Sequence, residues 1–160
     1  MHFEHLVAIN DPGMPLVADL SREQVWSGLM HRVEDARPFL PGLDQCLILM
    51  RSEGVVDREL HFGATRIRER VFYAESDWVR FETPATEHHG GGLLTIRIEE
   101  PGAGWLVLRF TYETAHAVGT EAENAAYEDY LRRAYEAADI DTVRTIRELA
   151  TGQTLMAEQA

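Results

Sequence analysis

The chain has 160 residues, a formal net charge of −12 and one cysteine, Cys46, so neither an intramolecular disulfide nor a multi-cysteine metal or iron–sulfur site is available. All 15 basic side chains are arginines, which excludes Schiff-base chemistry, a lysine general base and a Walker-type phosphate loop. The acidic surplus argues against nucleic acid and anionic membrane surfaces as partners, because both attract cationic proteins.

Phe3 to Asn10 (FEHLVAIN) reads as a strand, ended by Asp11-Pro12-Gly13 and Pro15. Ser21 opens a helix, with Gln24 at capping-box spacing and Leu20 and Val25 placed as a hydrophobic staple. Val25, Trp26, Leu29, Met30 and Val33 form its apolar stripe. Pro38 and Pro41-Gly42 end the helical region, with room for one further turn over Glu34 to Arg37. Asp44 to Ser52 is a strand without clean alternation.

Five strands of alternating character come next: Arg58–Phe62, Arg66–Ala74, Trp78–Thr83, Leu93–Glu99 and Trp105–His116. Ile67, Glu69, Val71 and Tyr73 oppose Arg66, Arg68 and Arg70. Leu94, Ile96 and Ile98 oppose Thr95, Arg97 and Glu99, and Leu106, Leu108, Phe110 and Tyr112 oppose Arg109, Thr111 and Glu113. Period two puts one set on a packed face and the other in water, as in a one-sided antiparallel sheet. From Thr120 the period becomes 3.6. Thr120 and Glu123 again have capping-box spacing, and Tyr127, Leu131, Ala134, Tyr135 and Ala138 form a stripe continued by Val143, Ile146 and Leu149. Gly152 is the expected stop, leaving one domain over residues 1–152 and a flexible tail over 153–160.

These elements predict an α+β helix-grip fold. A seven-stranded antiparallel sheet wraps around a long C-terminal helix, with short helices between strands 1 and 2. With this order the chain resembles the START-like, or Bet v 1-like, superfamily, and within it the AtaL-like family of acetylaranotin-cluster proteins. The resemblance is carried by FEHLVAIN, Val25-Trp26 with Leu29, Pro38 and Pro41-Gly42, and Arg58-Glu59-Leu60-His61-Phe62-Gly63. It continues in Glu69-Arg70-Val71, Leu94-Thr95-Ile96 and Arg109-Phe110-Thr111-Tyr112. It implies a cavity for an apolar small molecule and supplies no agreed catalytic residues.

Glu69 shares the packed face with Ile67, Val71 and Tyr73. A carboxylate there must be paired, hydrogen-bonded or protonated, since an unpartnered buried charge costs several kcal/mol. It is either a cavity acid or base, or a ligand anchor, or a structural partner of an arginine or tyrosine. The expected cavity wall is Glu69, Val71, Tyr73, Phe81, Thr83, Leu94, Ile96, Leu108, Phe110 and Tyr112 from the sheet, with Tyr127, Leu131 and Tyr135 from the helix. Tyrosines there offer an apolar body and one hydroxyl to orient a ligand, or simply pack.

His88-His89 before Gly90-Gly91-Gly92 reads as a loop at the cavity mouth rather than a metal site, because neighbours on an extended segment point opposite ways. No metal or cofactor is expected. The Arg66, Arg68 and Arg70 stripe is explained by cross-strand pairing with acids such as Glu82, Glu99 and Glu113. Trp78, Leu93, Trp105 and Val107 fall on the outer face, where an apolar patch suggests a homodimer or another protein partner.

Three functions fit. The first is binding of an apolar or aromatic ligand between sheet and helix. The second is a polyketide cyclase- or dehydratase-like enzyme with Glu69 as acid/base and a tyrosine as partner. The third is an interaction module using the outer face. MHFEHLVAIN lacks the basic start and apolar run of a signal peptide, and no apolar run approaches a membrane span, so the expected location is cytoplasmic.

Overall fold

Strands β1 (His2–Asn10), β2 (Gln45–Ser52), β3 (Val55–Phe62), β4 (Thr65–Ala74), β5 (Trp78–Thr83), β6 (Gly92–Glu99) and β7 (Leu106–Thr114) form one antiparallel sheet. Its order is β1-β7-β6-β5-β4-β3-β2. Helix α1 (Arg22–Glu34) comes after β1, and α2 (Glu121–Gln159) closes the chain. The structure is a computed structural model that describes residues 1–87, 90–114 and 120–159, with side chains described as far as residue 152. Strands β2 to β7 form a run of hairpins; only β1 reaches across, pairing with β7 from Phe3 against Tyr112 to Ala8 against Val107.

The strand alternation holds. Val71, Val79, Ile96, Leu108 and Phe110 have no exposed surface and pack with Val25, Leu29, Val33 and Ile146 from the helices. On the opposite face Arg70 pairs with Asp57 (2.7 Å) and Arg109 with Glu99 (2.6 Å). Two arginines of the stripe are paired, though Arg68 and Arg70 find Glu59 and Asp57 on β3 rather than acids further along the sheet.

Helix α1 begins as its punctuation predicts. The Ser21 hydroxyl accepts from the Gln24 amide (3.1 Å), and the Gln24 side chain accepts from the Ser21 amide (2.8 Å). Asn10 clamps the preceding loop by bonding both backbone groups of Leu20 (2.8 Å each). After α1 the chain continues in turns, with Phe39 and Leu40 amides both reaching the Ala36 carbonyl, instead of a second regular helix.

Helix α2 differs from its sequence reading in two respects. It runs 39 residues, about 58 Å, straight through Gly152. A helix-interior glycine costs only about 1 kcal/mol, and this one lacks the positive φ that a glycine cap requires. Among the described residues, burial is concentrated between Asp139 and Ala150: Val143, Ile146 and Ala150 enter the core, whereas Tyr127, Ala134 and Ala138 are exposed. Gly28 of α1 sets the closest approach, since a Cβ there would lie 2.8 Å from two Ile146 carbons. Among the described residues, no helix is long and apolar enough to cross a membrane.

Candidate functional site

The sheet's inner face carries a buried ion pair. Register places Arg58 of β3 directly opposite Glu69 of β4. The Arg58 Nε and Nη2 both donate to Glu69 Oε1, at 3.0 and 2.5 Å, and the Thr83 hydroxyl donates to Glu69 Oε2 at 3.1 Å. Arg58 Nη1 turns toward α1 and donates to the carbonyls of Arg32 (2.6 Å) and Val33 (2.9 Å). The Arg58 side chain is 1% exposed and that of Glu69 11%. Glu69 is thus held by a guanidinium and a hydroxyl, as a carboxyl on the packed face requires, while it also lines a cavity.

A second arginine enters from α1. The Arg32 and Arg58 guanidinium carbons each lie 5.1 Å from the centroid of the Phe81 ring, within cation–π range. Arg32 Nη1 donates to the Thr142 hydroxyl of α2 (2.8 Å), while its Nε is buried without a hydrogen-bond partner. Burial lowers the Arg32 pKa from its ordinary value.

Further along the groove a hydrogen-bonded chain links sheet, helix and edge strand. The Tyr112 hydroxyl donates to Asp139 Oδ1, and His5 Nδ1 lies 3.0 Å from Asp139 Oδ2. Asp139 is completely buried, and the desolvation raises its pKa above the ordinary carboxylate value. Burial likewise pushes the Tyr112 phenol up, with the Asp139 charge adding to the effect. Tyr135 of α2 stacks on Tyr112 with centroids 3.9 Å apart and rings 6° from parallel. Phe3 packs beside both.

Some of these groups border a cavity of about 220 Å³, whereas His5, Asp139 and Phe3 stand behind its wall. Its wall contains Arg32, Arg58, Glu69 and Thr83 on the polar side, and Leu40, Phe81, Leu94, Tyr112 and Tyr135 on the apolar and aromatic side. An adjoining hollow of about 530 Å³ shares Glu69, Thr83, Gly92 and Leu93 with it and extends past Arg68, Arg70, Glu82 and Pro84. It lies where β5 ends and the chain leaves the sheet. The hollow falls in the size range of small-molecule sites, roughly 300–1,000 Å³, and the smaller cavity lies below it.

Of the expected wall, Glu69, Phe81, Thr83, Leu94, Tyr112 and Tyr135 do line the smaller cavity. Val71, Ile96, Leu108 and Phe110 do not: they have no exposed surface and belong to the solid core. Tyr73 packs against Trp26 (6.2 Å between centroids), Leu131 is partly buried away from the cavity, and Tyr127 faces outward at 48% exposure. The outer patch is not continuous either. Val107 is buried between its register neighbours Ala8 and Glu99, and Leu93 borders both hollows. Trp78 is partly buried with Arg80 over its ring, leaving only Trp105 substantially exposed.

The sequence reading does not single out Arg32, Arg58, Asp139 and His5 as site residues. Signals in the sequence point to two of them, Arg58 and Asp139. Arg58 stands between Val56 and Leu60 on an apolar face, and Asp139 and Thr142 occupy the Tyr135–Val143–Ile146 stripe at helical spacing. Among the described residues no three metal-binding side chains converge. His88 and His89, read as a cavity-mouth loop, lie outside the described residues.

The sequence model of the family described as acetylaranotin biosynthesis cluster protein L matches residues 7–153. No curated protein sequence matches the chain. Among solved structures, the Zhui aromatase/cyclase from Streptomyces sp. R1128 superposes with a TM-score of 0.63 at 19% identity, covering 96% of this chain and 95% of its own. The di-domain aromatase/cyclase StfQ of the steffimycin pathway gives 0.66 at 14% identity, covering 96% of this chain and 51% of its own. A START superfamily protein from Mycobacterium smegmatis gives 0.55 at 15% identity, covering 89% and 97%. At these identities the likeness establishes the START-like helix-grip fold.

Proposed function

The chain belongs to the AtaL family, that of acetylaranotin biosynthesis cluster protein L, and from this premise we propose that it binds an apolar or aromatic small molecule between sheet and helices. The observation that carries this reading is the composition of the cavity wall. Phe81, Leu94, Tyr112 and Tyr135 supply apolar surface, while Arg58, Glu69 and Thr83 form a fixed polar edge. Largely apolar concavities with a few convergent polar groups favour one ligand orientation. A buried ion pair is often no better for stability than well-packed apolar side chains of similar volume, so this one supports the reading by the fixed polar edge it gives the cavity.

Thermal unfolding in the presence of neutral fused-ring compounds such as 2-naphthol tests the proposal. Binding to the folded state alone raises the midpoint with ligand concentration. Leu94→Trp fills the cavity and is expected to remain folded while losing the ligand-dependent rise. A rise that persists in the filled variant would place binding elsewhere.

A second reading, a polyketide cyclase- or dehydratase-like enzyme, is favoured by one observation. The Tyr112–Asp139–His5 chain connects a tyrosine of the cavity wall to a histidine that is 22% exposed, a route by which a proton could be exchanged with solvent under this reading. Glu69 suits acid/base work less, because both its oxygens are engaged. Under this reading Tyr112→Phe loses turnover of a polyketide-like substrate while retaining its binding.

A further inference from the structure

We propose that Arg32 is the counter-ion for a ligand carboxylate, so that the cavity selects aromatic or apolar molecules bearing one acidic group. The proposal rests on the cavity being a ligand site and adds the charge of the molecule it holds.

The polar groups of the wall are unevenly satisfied. Arg58 has Glu69 and two backbone carbonyls, and Glu69 has Arg58 and Thr83. Asp139 has Tyr112 and His5. Arg32 has no carboxylate within ion-pair distance among the described residues. Its one side-chain bond runs to the Thr142 hydroxyl, which in turn donates to the Ala138 carbonyl (3.0 Å). A neutral hydroxyl does not balance a guanidinium, and the buried Nε is left with nothing to donate to. Arginine does not relieve this by losing its proton. Glu69 and Asp139 act on Arg32 only from beyond ion-pair distance, so the guanidinium still lacks a directly bonded anion.

The geometry selects the kind of anion. A guanidinium presents parallel N–H groups that match the two oxygens of a carboxylate, and such charge-assisted pairs are roughly twice as strong as neutral ones. The Phe81 ring beside Arg32 and the Tyr112–Tyr135 stack provide aromatic surface for the rest of the molecule. The second cation, Arg58, is already matched by Glu69 and is not free to take this role.

The test compares 2-naphthoate with 2-naphthalenemethanol, similar in shape but one anionic and one neutral, by calorimetric titration of the full chain at neutral pH. The expected result is a preference of roughly ten- to a hundredfold for the carboxylate in the wild type. Arg32→Gln is expected to abolish that preference while still binding the alcohol. Equal affinities in the wild type, or a preference that survives Arg32→Gln, would overturn the inference and leave the cavity reading intact. Failure of both molecules to bind the wild type would instead remove the ligand site, and the inference with it. If Arg32→Gln does not fold by circular dichroism, Arg32→Lys keeps the charge and loses the planar fork. A preference reduced several-fold supports the proposal, and an unchanged one contradicts it.

Discussion

Arg58 and Glu69 face each other in register across β3 and β4, and the same arginine holds the last turn of α1 through the carbonyls of Arg32 and Val33. One buried guanidinium thereby fixes the sheet, the helix and the polar edge of the cavity. Removing a single partner strands a charge. Glu69→Ala is expected to cost about 3–5 kcal/mol in urea unfolding, whereas the paired replacement Arg58→Met with Glu69→Leu should cost far less than the single change. Equal losses for single and double variants would contradict this account.

The Tyr112 hydroxyl is the donor to Asp139 Oδ1 in a fully buried setting. Tyr112→Phe keeps the ring stacked on Tyr135 and leaves that oxygen without this donor. A destabilisation of about 1–3 kcal/mol is expected, measurable by chemical denaturation. A neutral outcome would mean that water replaces the phenol.

The pH dependence is set by the sign of the Asp139 shift. Desolvation raises its pKa in the folded protein above the ordinary 3.8, so between the two values the folded state binds the proton more readily than the unfolded chain. Stability from this group therefore falls as pH rises through that window. The carboxylates of Glu99 and Asp57 act oppositely: their arginine hydrogen bonds lower their pKa, and the stability they contribute is lost as pH falls through their folded values. Asp139→Asn should remove the first component only. Urea midpoints measured across pH should then show the stability of wild type relative to the variant declining as pH rises from about 4.

Gly28 is required by the packing of α1 on α2. Its absent Cβ would meet Ile146 at 2.8 Å in a region with no exposed surface on Ile146. Gly28→Ala is expected to destabilise by about 1–3 kcal/mol through overpacking, and adding Ile146→Val should recover part of the loss. Simple additivity of the two changes would argue that the helices separate without contact at this point.

Much of the fold was legible because a one-sided sheet writes its period directly into the chain. Ile67-Arg68-Glu69-Arg70-Val71 alternates in the sequence and again across β4. The site was legible only in part. Glu69 was conspicuous as an acid among apolar neighbours, but its partner Arg58 lies 11 residues away and is identified only once strand register is known. Helix α2 misled for another reason. A continuous apolar stripe does not reveal where the sheet ends beneath it, so Tyr127 and Tyr135 read alike although only Tyr135 reaches the cavity. Val107 shows the limit of period two, since a small side chain on an inner strand is screened by its neighbours whichever face it occupies.

Native mass spectrometry of the purified protein, with extraction and identification of anything bound, tests the central claim most directly. The account predicts a stoichiometric small-molecule adduct, aromatic or apolar with an acidic group, that is lost in Leu94→Trp. A protein that carries no adduct, and that no fused-ring compound stabilises against heat, would contradict it.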